Sequence, residues 1–195
     1  ITSTITYGHT PLAPSPSAST TSWTLRSEAE RNTIEHRRRR FSSPGSTRKP
    51  VTALAGMQEH VFSAYDSIQC TGSATYGLDE QVFRNWNPFV NQPMTLPEAL
   101  SQSCDTYFYE IGNRFYEGGS DSQVRMQQWA RRFGFGSPSG LDIGGEADGL
   151  VPTPEWRRKT FESDWDRAWN PGDSIQLSIG QKDLLVTPIQ MAAFY

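Results

Sequence analysis

The sequence has no apolar run near the ~18 residues that a membrane span needs, and no charged start followed by an apolar core that would mark a secretion signal. It also lacks a basic excess: 18 Lys and Arg stand against 21 Asp and Glu, a net charge of -3, which argues against a nucleic-acid partner. Cysteine is scarce. Cys70 and Cys104 admit at most one bridge, match no zinc spacing and leave the redox compartment open. The three histidines, His9, His36 and His60, have no partner pattern, so no metal is expected. Apolar side chains are also sparse, at 35% of residues, or about 39% with glycine counted and tyrosine not, against ~45 to 50% in a typical globular domain. Part of the chain is therefore expected not to pack. The 195 residues suffice for one domain or part of one.

What is present is unevenly distributed. Residues 1 to 50 carry 8 basic and 3 acidic groups, whereas 51 to 195 carry 10 and 18. Of the first 24 residues 12 are Ser or Thr, with Pro11, Pro14 and Pro16 among them. Such a segment offers too little apolar surface to offset its ordering entropy, so residues 1 to 43 read as a disordered, Ser/Thr- and Arg-rich stretch. The run Arg37 to Arg40 reads as a solvated face rather than a site for phosphate or anionic lipid.

From Pro44 onward the pattern is that of a folded protein. Val51, Leu54 and Ala55 predict a helix from Ser46 or Thr47 to Gly56. Residues 65 to 93, rich in Gly, Asn and Pro, predict loops with one small hairpin. Thr95 and Glu98 form a capping box around Pro97, which predicts a helix over 96 to 102. A helix over 106 to 116 would bury Tyr107, Ile111 and either Phe108 or Phe115, and another over 121 to 133 would use Val124, Met126, Trp129 and Ala130 before Gly134 stops it. Then come a Gly-rich stretch, a short helix from Pro154, an irregular segment at Pro171 and Gly172, and a last helix capped by Thr187. Trp156, Trp165 and Trp169 read as packing or interface anchors rather than sugar-stacking residues.

A serine hydroxyl needs a neighbouring base to become a nucleophile at neutral pH. Ser46 and Lys49, three residues apart, share a helix face, and a serine at a helix's amino end also lies beside unpaired backbone N–H groups suited to a developing oxyanion. Lys49 could accept the proton only if burial or nearby cations lowered its pKa. S-x-x-K alone arises about once by chance in a chain of this length, given ~7% Ser and ~6% Lys.

The surrounding strings are more specific. The segment Pro44-Gly45-Ser46-Thr47-Arg48-Lys49-Pro50-Val51-Thr52 resembles the active-site serine segment of penicillin-binding proteins, the peptidoglycan transpeptidases, although the family usually has an aromatic residue where Arg48 stands. Ser101 through Tyr109 resembles the second motif, which is S-x-N in most members and S-x-D, as in Ser103 and Asp105 here, in elongation-type class B enzymes. Trp169 to Asp173, followed by Ser178 to Gln181 and Thr187-Pro188, is similar to the landmark before the family's long helix, with Lys182 replacing a more common glycine. The resemblance spans 44 to 195 and implies an α+β fold, an antiparallel sheet covered by helices, of which mainly the helical part is encoded here.

The resemblance also implies roles. Ser46 would attack the carbonyl of the penultimate D-alanine of a peptidoglycan stem peptide and release the terminal D-alanine. Lys49 would take the serine proton, Ser103 would relay it to the leaving amine, and Asp105 would hold Lys49 and the donor peptide. An amine from a second stem peptide would resolve the acyl-enzyme, and a β-lactam would leave Ser46 stably acylated. No cofactor is implied. The implied partners are the stem peptides, β-lactams, the cell-wall elongation machinery and a glycosyltransferase, at the extracytoplasmic face of the plasma membrane. Apart from that resemblance, Asp105 reads as an N-cap, Ser103 as a loop serine, Cys104 as a small buried side chain and Cys70 as structural.

Two departures stand out. The third motif, K-[TS]-G, does not occur in the sequence; a strand carrying it is expected beyond Tyr195, and such a strand supplies one of the two oxyanion donors, worth ~10² to 10³ in rate. Residues 1 to 43 are expected to fall outside the family pattern, in place of its opening strands. The chain is therefore expected to be an incomplete transpeptidase, weakly active or inactive, with helix faces left exposed where the sheet would lie. The alternatives are a penicillin-sensing or scaffold module, or a serine β-lactamase, which would need an E-x-x-L-N segment absent from the sequence.

Overall fold

In the computed structural model the described residues are 41–141 and 145–195. The expectations for the Ser/Thr-rich start, His9, His36 and the Arg37 to Arg40 run lie outside them, and Phe41 to Ser43 is the described remainder of the segment expected to be disordered. The elements, in order, are a 3-10 turn Gly45–Arg48, α1 Lys49–Gln58, β1 Ile68–Thr71, β2 Ser73–Tyr76, β3 Gln81–Arg84, β4 Asn91–Met94, α2 Leu96–Ser101, α3 Asp105–Glu117, α4 Ser120–Gln123, α5 Arg125–Arg132, α6 Pro154–Thr160, α7 Asp164–Arg167, α8 Pro171–Ser178 and α9 Pro188–Phe194.

The core forms around α3. Tyr107, Phe108, Ile111 and Phe115 are all fully buried, so both phenylalanine alternatives are filled, and each such side chain stabilises the fold by about 1.5–3 kcal/mol. The width of that buried face reflects neighbours on several sides: α1, α8 and the strands β1, β2 and β3 all pack on α3. Its approach to α8 is close because Gly112 has no side chain; a Cβ there would lie 2.8 Å from the Ser174 carbonyl oxygen and 2.9 Å from Ser178 Cβ. Two buried hydroxyls tie the three helices together. Thr52 donates to the Ser178 carbonyl at 2.7 Å, and Ser178 donates to the Phe108 carbonyl at 2.8 Å.

α8 replaces the irregular segment expected at Pro171 and Gly172. Proline fits the first helical position, where no N–H partner is needed, and the Asn170 and Asp173 side chains cap each other's backbone in a reciprocal box. The helix expected over 121 to 133 is divided at Val124, after Gln123 turns its carboxamide back to the Tyr116 carbonyl. Its continuation still buries Met126 and Ala130, and Gly134, at φ +89°, ends it as expected. α1 runs to Gln58 rather than Gly56, and Leu54 is exposed while Val51, Thr52, Ala53 and Ala55 face inward.

The region expected to be loops with one hairpin holds two antiparallel pairs. The hairpin β2–β3 pairs Ser73 with Arg84 through Tyr76 with Gln81. The longer-range pair β1–β4 runs from Ile68 opposite Met94 to Thr71 opposite Asn91, and puts Ile68 and Cys70 inside. The late chain returns to the start of the described body through a single bridge, Ser42 with Val186, and a second bridge joins Leu150 to Leu185.

Candidate active site

Ser46 lies in the 3-10 turn and is exposed, whereas Lys49, which opens α1, is buried. The turn is held from the far end of the sequence. Gly45, at φ +58°, donates its N–H to the Gly180 carbonyl at 2.9 Å, and a Cβ on Gly180 (φ +73°) would come within 2.4 Å of the Gly45 carbonyl oxygen. Glycine is required there both for the backbone angle and for the approach. Thr47 closes the turn by donating its hydroxyl to the Pro44 carbonyl at 2.7 Å.

The Lys49 ammonium has three hydrogens and three acceptors. It donates to the Ser103 carbonyl at 2.7 Å, to Ser103 Oγ at 3.0 Å and to Asp105 Oδ1 at 2.6 Å. Ser103 sits at φ +52°, a left-handed angle that costs a non-glycine residue about 1–3 kcal/mol, and in that conformation both its carbonyl and its hydroxyl reach the amine. Three of the four residues singled out from the sequence thus meet in one cluster. Ser46 lies one turn away from it, and among the described residues no hydrogen bond joins Ser46 Oγ to Lys49. Burial pulls the Lys49 pKa below the ordinary lysine value, while the hydrogen bond and charge of Asp105 push back against that fall.

Asp105 is not the N-cap of α3. Cys104 holds that position, its sulfur accepting the Tyr107 N–H at 3.3 Å, and Asp105 is the first residue inside the helix. Its carboxylate is engaged elsewhere: Oδ1 takes Lys49 and Oδ2 takes the Trp86 N–H at 3.0 Å. The bridge that two cysteines allow is formed between Cys70 and Cys104, tying β1 to the loop between Ser103 and Asp105. Sequence reasoning missed Asn85 and Trp86, because neither belongs to a motif and both lie just past a short strand.

Two further features concern departures from the family pattern. Arg48 is fully buried; its Nη2 donates to the Met126 carbonyl at 3.4 Å, Nε and Nη1 have no partner, and burial lowers its pKa to about 9. Lys182 sits at φ +61°, an angle that accounts for a glycine in its place elsewhere, and its ammonium bonds Asp173. Asp173 is also paired with buried Arg157 at 2.7 Å. Trp169 packs on the core and donates to Ser174 Oγ at 2.9 Å, whereas Trp165 is exposed.

Residues 28–195 match the model of the penicillin-binding protein transpeptidase domain. The chain belongs to that family. It is 37% identical over 149 residues to the peptidoglycan D,D-transpeptidase MrdA of Acinetobacter baumannii, covering 76% of this chain and 21% of that protein. Among solved structures, penicillin-binding protein 2 of Pseudomonas aeruginosa superposes with a TM-score of 0.71 at 38% identity, covering 81% of this chain and 34% of that one. Penicillin-binding protein 2 of Helicobacter pylori, in its complex with MreC, gives a TM-score of 0.70 at 25% identity, covering 86% and 29%. The chain therefore has the transpeptidase fold, with short antiparallel pairs among its helices, and spans about a fifth of the length of the curated relatives it matches. The S-x-x-K and S-x-D segments lie inside the matched range.

Proposed function

We propose that this chain carries the acylation machinery of a peptidoglycan D,D-transpeptidase of cell-wall elongation, with Ser46 as nucleophile. The observation that supports this most is the convergence of Ser103 and Asp105 on the buried Lys49 amine, one turn from an exposed serine. With its pKa lowered by burial, Lys49 is deprotonated more readily than an ordinary lysine, and the neutral amine can take the Ser46 proton as Oγ adds to the penultimate D-alanine carbonyl. The proton passes through Ser103 Oγ, 3.0 Å from Lys49, to the nitrogen of the departing terminal D-alanine. The amine of a second stem peptide then adds to the Ser46 ester and releases the serine, forming the cross-link. Asp105 holds the lysine in place throughout.

In this reading the protein works at the outer face of the plasma membrane beside a glycosyltransferase and the elongation machinery. The MreC complex of the Helicobacter pylori relative supports such partners. No helix among the described residues is long and apolar enough to cross a membrane.

Labelled benzylpenicillin in excess, with long incubation, tests the reading on this chain. Stable labelling that disappears in Ser46→Ala is the expected outcome. Labelling should quicken as pH rises, because the reactive form is the neutral amine, with an inflection below the ordinary lysine value. An adduct on any other residue refutes Ser46, and rapid release of label points instead to a β-lactamase. An absence of labelling points to an inactive fragment or a scaffold.

A further inference from the structure

Asp105 faces Lys49 correctly only if something fixes the first turn of α3, and the groups that do so come from outside both motifs. Asn85 is buried, 7% exposed, directly after β3. Its Oδ1 accepts the Asp105 backbone N–H at 3.1 Å. Its Nδ2 donates to the Thr71 carbonyl at 3.0 Å and lies against both disulfide sulfurs, at 3.4 Å from Cys70 and 3.7 Å from Cys104. Its own N–H is anchored on the Gly72 carbonyl at 2.9 Å, and the next residue, Trp86, donates its N–H to Asp105 Oδ2. Residues 85 and 86 thus hold Asp105 at two points, its backbone and the carboxylate oxygen turned away from Lys49.

We infer that Asn85 is a positioning residue, which aims the Asp105 carboxylate at Lys49 by holding the start of α3 against β1. The inference rests on the reading of Asp105 as the partner of the catalytic lysine. A carboxamide is chemically suited to this bridging position, since it accepts on one arm and donates on the other, so one residue can join α3 to β1. An aspartate would keep the acceptor and lose the donor, while alanine would lose both. The other groups around the lysine are few. Arg48 precedes it in the chain, the Phe108 ring lies 5.6 Å from the ammonium, and the Tyr109 phenol, hydrogen-bonded to the Arg84 carbonyl at 3.1 Å, has its pKa raised by burial and by the Asp105 charge.

The test reads Lys49 directly and needs no turnover. The side-chain carbon resonances of 13C-labelled lysine report its titration midpoint in the 195-residue chain. Asp105→Asn should lower that midpoint, since Asp105 favours the charged amine. In an Asn85→Ala background the drop caused by Asp105→Asn should shrink to about half or less, because a carboxylate that has lost its aim has less to lose. In an Asn85→Asp background, which keeps the acceptor for the Asp105 N–H, most of the drop should remain. If Asn85→Ala fails to fold by near-ultraviolet circular dichroism, Asn85→Ser, whose hydroxyl falls short of Asp105, takes its place. An undiminished drop in the alanine or serine background overturns the role of Asn85 while leaving that of Asp105 intact. No drop in the otherwise wild-type chain overturns the reading of Asp105, and the inference with it.

Discussion

Arg48 is a charge in the wrong solvent, and replacing it should make the protein more stable. The side chain is fully buried, has a single 3.4 Å hydrogen bond and faces no carboxylate among the described ion pairs. A guanidinium that burial holds at about 9, well below the ordinary arginine value, carries on the order of 5 kcal/mol of unfavourable free energy when charged. Below pH 9 it is protonated in the folded and unfolded states alike, so the whole penalty is present and does not vary with pH. Above about 9, up to the ordinary arginine value, the unfolded chain binds the extra proton, and stability rises with pH. Arg48→Met keeps an unbranched side chain of similar reach and removes the charge. Exchanging buried ionic groups for apolar ones of like volume typically gains about 1–4 kcal/mol, and loss of the bond to the Met126 carbonyl places the expectation near the middle, about 2 kcal/mol. Urea unfolding at pH 7 and pH 10 measures it, with a smaller gain expected at pH 10, where part of the wild-type penalty is already relieved. A variant less stable than wild type by more than about 1 kcal/mol at pH 7 would refute the argument, because it would mean that the guanidinium has a compensating partner.

Two more perturbations probe the packing behind the site. Gly112→Ala should destabilise the chain by about 1–3 kcal/mol, since its methyl meets the α8 backbone rather than a flexible side chain, and a melting temperature unchanged from wild type would show that α3 and α8 can separate freely. Reducing the Cys70–Cys104 bridge, which closes a loop of 34 residues, should lower the unfolding free energy by about 4 kcal/mol, with denaturant titration in the presence and absence of reductant as the check. An identical midpoint in both conditions would show that the bridge does not restrict the unfolded chain.

The parts of the fold that were legible in the sequence are those whose causes are local. Thr95 with Glu98, and Thr187 with Pro188, announce helix starts within four residues, and both helices begin where those signals place them. The same kind of signal was present at α8 but was obscured by Pro171 and Gly172, whose turn-forming character outweighed the Asn170 and Asp173 box. Pairings that join distant segments left no mark. The spacing of Cys70 and Cys104 is compatible with bridged or separate thiols, and nothing in the residues of β1 names β4 as its partner. At the site, Lys49, Ser103 and Asp105 were legible because they belong to motifs. Asn85 was not, because its function depends on where the β3 end meets α3, and that is a property of the assembled body alone.

The grip of Gly180 on Gly45 has a consequence for biosynthesis. The serine's turn leaves the ribosome before its restraints, which are the Gly180 carbonyl, the Val186 bridge to Ser42 and the Tyr195 hydroxyl, which donates to the Thr47 carbonyl across 148 positions of sequence. Translation at ~5 to 20 residues per second would leave the nascent turn unclamped for many seconds. The geometry of this turn is thus complete only once the segment from Gly180 to Tyr195 has folded back onto residues 42 to 47.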